Sequence, residues 1–211
     1  MRSLLVDELA GSACVDGTDR DKPPPLGRVS WTVTTHTSAV TWGVHEHEVA
    51  AIIRIQSLTA SPEIRQGAVI LSRAGEHALC WTALGLVGAV LDPQQRRPWL
   101  RATATVVGAH AVSVVLKRAA RRHRPSDPRI RVHVGTPSHW SFPSSHATST
   151  TAAAVAYSRL LGRRFPLFSI PVMMASRVIL GVHYPSDVLA GSVIGAAMGH
   201  WVARARAGSR S

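Results

Sequence analysis

The sequence predicts an all-α protein, an integral membrane helical bundle of about five transmembrane helices. Three observations predict it. Five apolar runs follow one another between residues 75 and 203, each near the roughly 17–25 residues that cross a bilayer. Short arginine clusters separate the runs, and Trp81, Trp99, Trp140 and Trp201 stand near their ends. Acid is scarce in this part: nine of the 12 acidic residues occur at or before Glu76, leaving Asp92, Asp127 and Asp187. A soluble all-α domain with buried helices is the other reading, and the arginine and tryptophan flanks favour the membrane.

The charge narrows the partners. Against 24 basic residues stand 12 acidic ones, a formal net charge of +12. Such a balance suits nucleic acid, an anionic membrane or a phosphorylated substrate. Nucleic acid is excluded because no soluble basic face carries interleaved aromatics. Cys14 and Cys80 show neither metal spacing nor a disulfide framework and are expected as free thiols. Asp7 and Glu8 interrupt the first ten residues, so no signal peptide is expected and internal helices must do the targeting.

In chain order, residues 1–48 read as a polar, disordered leader, with Pro23, Pro24 and Pro25 closing a charged tract. His45, Glu46, His47 and Glu48 suggest a metal site at first sight. They read instead as a solvated helix start, because no partner ligands follow at useful spacing. Residues 49–73 read as two amphipathic interfacial helices. Apolar residues at 49, 52, 53, 55 and 58 share one face of the first. Ser61 and Pro62 open the second, whose apolar face is Ile64, Ala68 and Leu71. Both are too short to span and suit the membrane surface.

The spans are expected at 75–91, 99–116, 144–161, 166–183 and 185–203, with a basic irregular loop over 125–143. Gly191, Gly195 and Gly199 recur every fourth residue of the last run, a spacing that lets helix backbones approach closely in lipid.

Three blocks carry chemistry. In the first, Lys117 and Arg124 are seven residues apart, two helical turns, so that both cations project from one face; Pro125 ends the helix. Two cations there can clamp phosphate oxygens, or simply anchor a membrane helix. In the second, Pro143, Ser144, Ser145 and His146 run into an alanine-rich helix. A helix start with small hydroxyl residues offers free N–H groups to an anion, and its histidine can give a proton to a leaving oxygen. The third holds Arg177, His183 and Asp187 in or beside apolar helices, where charge is costly and therefore functional by default. Asp187, four residues after His183, can accept that ring's N–H and leave the other nitrogen as a nucleophile. The residues alone leave open which histidine attacks. With five spans, all three blocks fall on one side of the bilayer.

In order and spacing, Lys117-x6-Arg124-Pro125, Pro143-Ser144-Ser145-His146 and Ser176-Arg177-x5-His183-x3-Asp187 resemble the three-part signature of the type 2 phosphatidic acid phosphatase (PAP2) superfamily. The resemblance covers about 75–203 and implies a PAP2-like transmembrane catalytic domain over 74–206. It implies a phosphatase needing no metal and no cofactor. His183 attacks phosphorus and forms a phosphohistidine, His146 protonates the leaving alcohol, and Asp187 orients His183. Lys117, Arg124, Arg177, Ser144 and the N–H of Ser145 hold the oxygens. The family usually has glycine where Ser145 stands, which bears on the oxyanion geometry.

Gly135-Thr136-Pro137-Ser138, residues 142–154 and residues 181–188 further resemble an actinobacterial branch, the decaprenylphosphoryl-5-phosphoribose phosphatases. The implied setting is the cell membrane, crossed several times, and the implied partner a lipid-linked phosphate. Polyprenyl diphosphate, phosphatidate and phosphatidylglycerophosphate are the rival substrates. The rival of another class is a non-catalytic lipid-binding protein; the filling of all three blocks argues against it. A short chain with five apolar spans argues against a vanadium haloperoxidase.

Overall fold

A computed structural model of the chain describes residues 37–207. Seven α-helices follow in order: α1 (Thr37–Leu58), α2 (Pro62–Ala74), α3 (Leu79–Leu91), α4 (Arg96–Ala120), α5 (Ser145–Leu161), α6 (Ser169–Ile179) and α7 (Pro185–Ala207). Short 3-10 turns precede α3, α4 and α6. Among the described residues there is no strand, only an isolated bridge between His123 and Trp140.

Start signals explain the helix origins. Ser61 caps α2 by accepting from Ile64 N at 3.3 Å, with Pro62 in the first turn. Ser144 caps α5, and Gly162, at φ +62°, ends it in the left-handed conformation that glycine adopts without strain.

The bundle is built around α5. Ala147 and residues 148–157 are all buried. This helix is alanine, serine and threonine rather than leucine, because small side chains let neighbours approach its backbone. Two of its hydroxyls bond back along the helix, Thr148 Oγ1 to Ser144 O and Ser149 Oγ to Ser145 O, each at 2.9 Å, while Thr151 Oγ1 is buried without a partner among the described residues. The glycine stripe of α7 packs against it. A Cβ at Gly191 would stand 2.6 Å from Ser144 O, and one at Gly199 would stand 3.0 Å from Ala152 O.

The outer surface is the apolar one. Leu79, Val90 and Leu91 of α3, Val115 of α4 and Val193 of α7 are 63–77% exposed, whereas Ser113, Ser144, Arg177 and Asp187 are buried. A polar interior inside an apolar girdle is the arrangement that lipid, not water, stabilises. Residues 93–120 form one helix long and apolar enough to cross a membrane. The α2 pair with residues 76–91, bent by 50°, passes the same test as a unit.

Several expectations change. The helix expected to begin at Val49 begins at Thr37, so the end of the anticipated leader is helical; residues 1–36 lie outside the described residues. His45, Glu46 and His47 are exposed as expected, but Glu48 is buried. Val49 and Ile52 pack in a core with Ile130, Val178 and Tyr184. Trp99 stands near the start of α4, but it is packed inside the bundle, 6% exposed, with its ring 5.3 Å from that of Tyr157. Trp81 is likewise drawn inward, its Nε1 donating to Thr150 Oγ1 at 2.9 Å. The expected span at 166–183 is shorter, since α6 ends at Ile179. Helix α4 stops at Ala120, with Arg121 left-handed at φ +48°, so Arg124 does not share a helix face with Lys117.

Candidate active site

Lys117 sits in the last turn of α4, 7% exposed. Its Nζ donates to the carbonyls of Trp140 at 3.3 Å and Ser141 at 3.1 Å. Arg124 reaches the same region from the extended segment before Pro125. Its Nε donates to Ser138 O at 2.8 Å, and its Nη1 donates to Val182 O at 2.6 Å and lies 3.3 Å from His183 Nε2. Burial lowers the pKa of Arg124 to about 10 while Asp187 pulls it upward, so the group stays cationic at neutral pH. Arg177, in the last turn of α6, is 2% exposed, and its Nε and Nη1 have no hydrogen-bond partner among the described residues. A buried guanidinium with unpaired donors is suited to an anion.

His183 follows the turn at Gly181, whose φ of +70° and whose missing Cβ, which would meet Arg131 O at 2.5 Å, both require glycine. His183 Nδ1 lies 3.5 Å from Asp187 Oδ2, one helical turn along. Asp187 is fully buried, and its Oδ2 accepts from Tyr184 N at 2.9 Å. His183 Nδ1 has no hydrogen-bond partner among the described residues, whereas the Arg124 guanidinium, a donor only, faces Nε2 and is matched by a lone pair on that nitrogen. His146, in the first turn of α5, has Nε2 3.0 Å from the Ser72 carbonyl of α2.

Lys117, Arg124, Ser145, His146, Arg177 and His183 line one cavity of about 880 Å³. The three blocks, scattered over 70 residues, thus open on one space. Ser144 and Asp187 stand behind its wall. Ser144 is fully buried, and its Oγ accepts from Ala147 N at a long 3.5 Å. The Ser145 hydroxyl turns away to lie 2.7 Å from Ser113 Oγ on α4. The side chain in place of the usual glycine is therefore housed between helices.

The PAP2 superfamily model matches residues 98–210, more than half of the chain and every one of these side chains. The chain belongs to the PAP2 superfamily. The decaprenylphosphoryl-5-phosphoribose phosphatase of Mycobacterium tuberculosis is 49% identical over 153 residues, 72% of this chain and 86% of that protein. The phosphatase of the same name from Mycolicibacterium smegmatis is 50% identical over 145 residues, 68% and 81% respectively. A solved transmembrane PAP2-type phosphatidylglycerolphosphate phosphatase from Bacillus subtilis superposes with a TM-score of 0.62 at 23% identity, covering 79% of this chain and 86% of that one. That likeness shows the PAP2 fold.

Sequence reasoning missed two residues of this PAP2 site. Arg122 donates through Nη1 to Ser186 Oγ at 2.6 Å and to Asp187 Oδ1 at 2.9 Å, and through Nη2 to Glu48. Its guanidinium lies 4.2 Å from the centroid of the Tyr184 ring. Glu48 Oε1 accepts from Ser186 N at 3.0 Å, at the start of α7. Arg122 was hidden among Lys117, Arg118, Arg121 and Arg124 of the same stretch. Glu48 betrays itself only by sitting one residue before the buried face of α1.

Proposed function

We propose that this chain is a membrane phosphatase that hydrolyses a lipid-linked phosphomonoester, with decaprenylphosphoryl-5-phosphoribose as its substrate and decaprenylphosphoryl-ribose as its lipid product. One observation carries the reaction: three buried or half-buried cations, Lys117, Arg124 and Arg177, face two histidines across one cavity. The substrate rests on the 49–50% identity to the mycobacterial phosphatases over most of their length.

In this reading the three cations neutralise the phosphoryl oxygens, as electrostatic stabilisation of phosphoryl transfer requires. His183 Nε2 attacks phosphorus in line with the ester oxygen. The N–P bond forms as the P–O bond to the alcohol breaks. The ring of His146 gives its proton to the departing oxygen. Water then attacks the phosphohistidine, His146 takes a proton from it, and inorganic phosphate leaves. Asp187 holds the His183 tautomer. Ser145 N–H is the oxyanion donor, and Ser144, buried behind the cavity wall, caps the helix start that presents it. The bundle crosses the cell membrane several times, with the apolar girdle in the acyl chains.

The test is a substrate panel. Detergent-purified protein is given phosphoribosyl polyprenyl lipid, polyprenyl diphosphate and phosphatidate in the presence of EDTA. The expected result is phosphate release with the highest kcat/KM on the first. Preference for either of the others reassigns the substrate, and full activity of His183→Ala removes the mechanism.

A further inference from the structure

The cavity is far larger than a phosphate needs, and one wall has no part in the chemistry above. His110 projects into it from α4, two turns before Lys117, and His77 enters from the break between α2 and α3. The two rings have centroids 6.0 Å apart, inclined at 49°. Nδ1 of His110 is buried and has no hydrogen-bond partner among the described residues. Its backbone is held by Ser113, whose Oγ donates to His110 O at 2.6 Å and touches Ser145 Oγ at 2.7 Å. That places the ring beside the start of α5, which carries His146. His77 and Ala78 are both left-handed, at φ +51° and +58°. Such a conformation is strained for a non-glycine residue and tends to persist at functional sites.

An unpaired buried imidazole nitrogen needs a partner from the ligand. A second phosphate is the wrong partner here, because Glu76 lines the same wall beside His77. A hydroxyl fits: imidazole offers one donor and one acceptor, and a carboxylate accepts from O–H. Resting on the substrate reading above, we propose that His110, with His77 and Glu76, forms a subsite that reads the free hydroxyls of a sugar leaving group. The ester oxygen stays at His146, and the ring carbons bearing hydroxyls turn towards α4. A site built to bond a hydroxyl discriminates strongly against an alcohol that lacks it.

The experiment compares kcat/KM on phosphoribosyl polyprenyl lipid with kcat/KM on phosphatidate, whose leaving group has no free hydroxyl. The wild-type ratio favours the sugar lipid, and His110→Leu lowers that ratio about tenfold, as loss of one to two hydrogen bonds predicts. His110→Asn, which keeps a donor and an acceptor, recovers most of it. His77→Leu, at the exposed mouth, gives the same direction of change should His110→Leu fail to fold. An unchanged ratio, or an equal fall on both lipids, overturns the subsite while leaving the substrate reading intact. A wild-type protein with no preference for the sugar lipid overturns both.

Discussion

Arg122 Nη1 lies 2.9 Å from Oδ1 of Asp187, while the other oxygen of that carboxylate faces His183 Nδ1 at 3.5 Å. The ion pair closes a chain that starts on α1, since Arg122 also pairs with Glu48. The helix preceding the bundle proper therefore helps to set the proposed nucleophile. Replacing Arg122 by alanine leaves two carboxylates facing each other without a cation. Breaking a buried pair costs about 3–5 kcal/mol, and because the Arg122 side chain is 30% exposed a loss of about 2 kcal/mol is expected. Thermal unfolding in detergent reads it. A fall in kcat accompanies it as Asp187 loses its orientation, and Arg122→Lys restores only part of either, lacking the planar fork that holds both acids.

Glu48 gives the pH dependence of that chain. Burial raises its pKa, but hydrogen bonds from Ser186 and Arg122 outweigh burial and hold it below the ordinary value of 4.5. A carboxyl whose folded value is depressed contributes its stability fully above the unfolded value and loses it as pH falls through the folded one. The difference in melting temperature between the wild type and Glu48→Gln is therefore greatest above pH 4.5 and shrinks as the pH is lowered further. A difference that grows on acidification contradicts the assignment.

Some of this was readable from residues and some was not, for a physical reason. Lys117, Arg177, His183 and Asp187 stood out because charge inside apolar sequence needs an explanation. That the three blocks fall on one side followed from helix order, and Lys117, Arg177 and His183 line one cavity. The five apolar runs became α3 to α7 in that order. Glu48 and Arg122 lay in locally polar surroundings, and each is justified only by a partner, 74 residues from one to the other. Nor does composition say that α5 is central. An Ala, Ser and Thr helix looks weakly apolar, yet residues 147–157 are buried among the other helices, where small size counts for more than hydropathy. Trp81 turns inward because an indole N–H is equally content at a headgroup or on a buried hydroxyl such as that of Thr150.

The glycine stripe supplies a packing test. A side chain at Gly191 meets Ser144 O at 2.6 Å and Thr148 Oγ1 at 3.0 Å, both on the turn that positions His146. Gly191→Leu must push α7 off α5, at about 1–3 kcal/mol or more. Gly67, with nothing within 4 Å of its missing Cβ, is the control. Gly67→Ala is expected to keep the wild-type melting temperature and phosphate release, and Gly191→Leu to lose both.

The division of labour between the histidines has its own signature. In the proposed reaction His146 protonates the leaving alcohol and later deprotonates water, whereas His183 carries the phosphoryl group. A nitrophenyl phosphate leaves without acid assistance, so it bypasses the first duty and not the second. With that substrate, His146→Ala is expected to release one burst of nitrophenol per active site and then stall, because hydrolysis of the phosphohistidine lacks its base. On a lipid phosphate the same variant loses roughly 100- to 10,000-fold in kcat, the usual worth of general acid–base catalysis. His183→Ala shows neither burst nor turnover on either substrate. Rapid-quench kinetics with acid-labile phosphoenzyme trapping separate these outcomes. A burst that survives in His183→Ala, or label found on His146, exchanges the two roles.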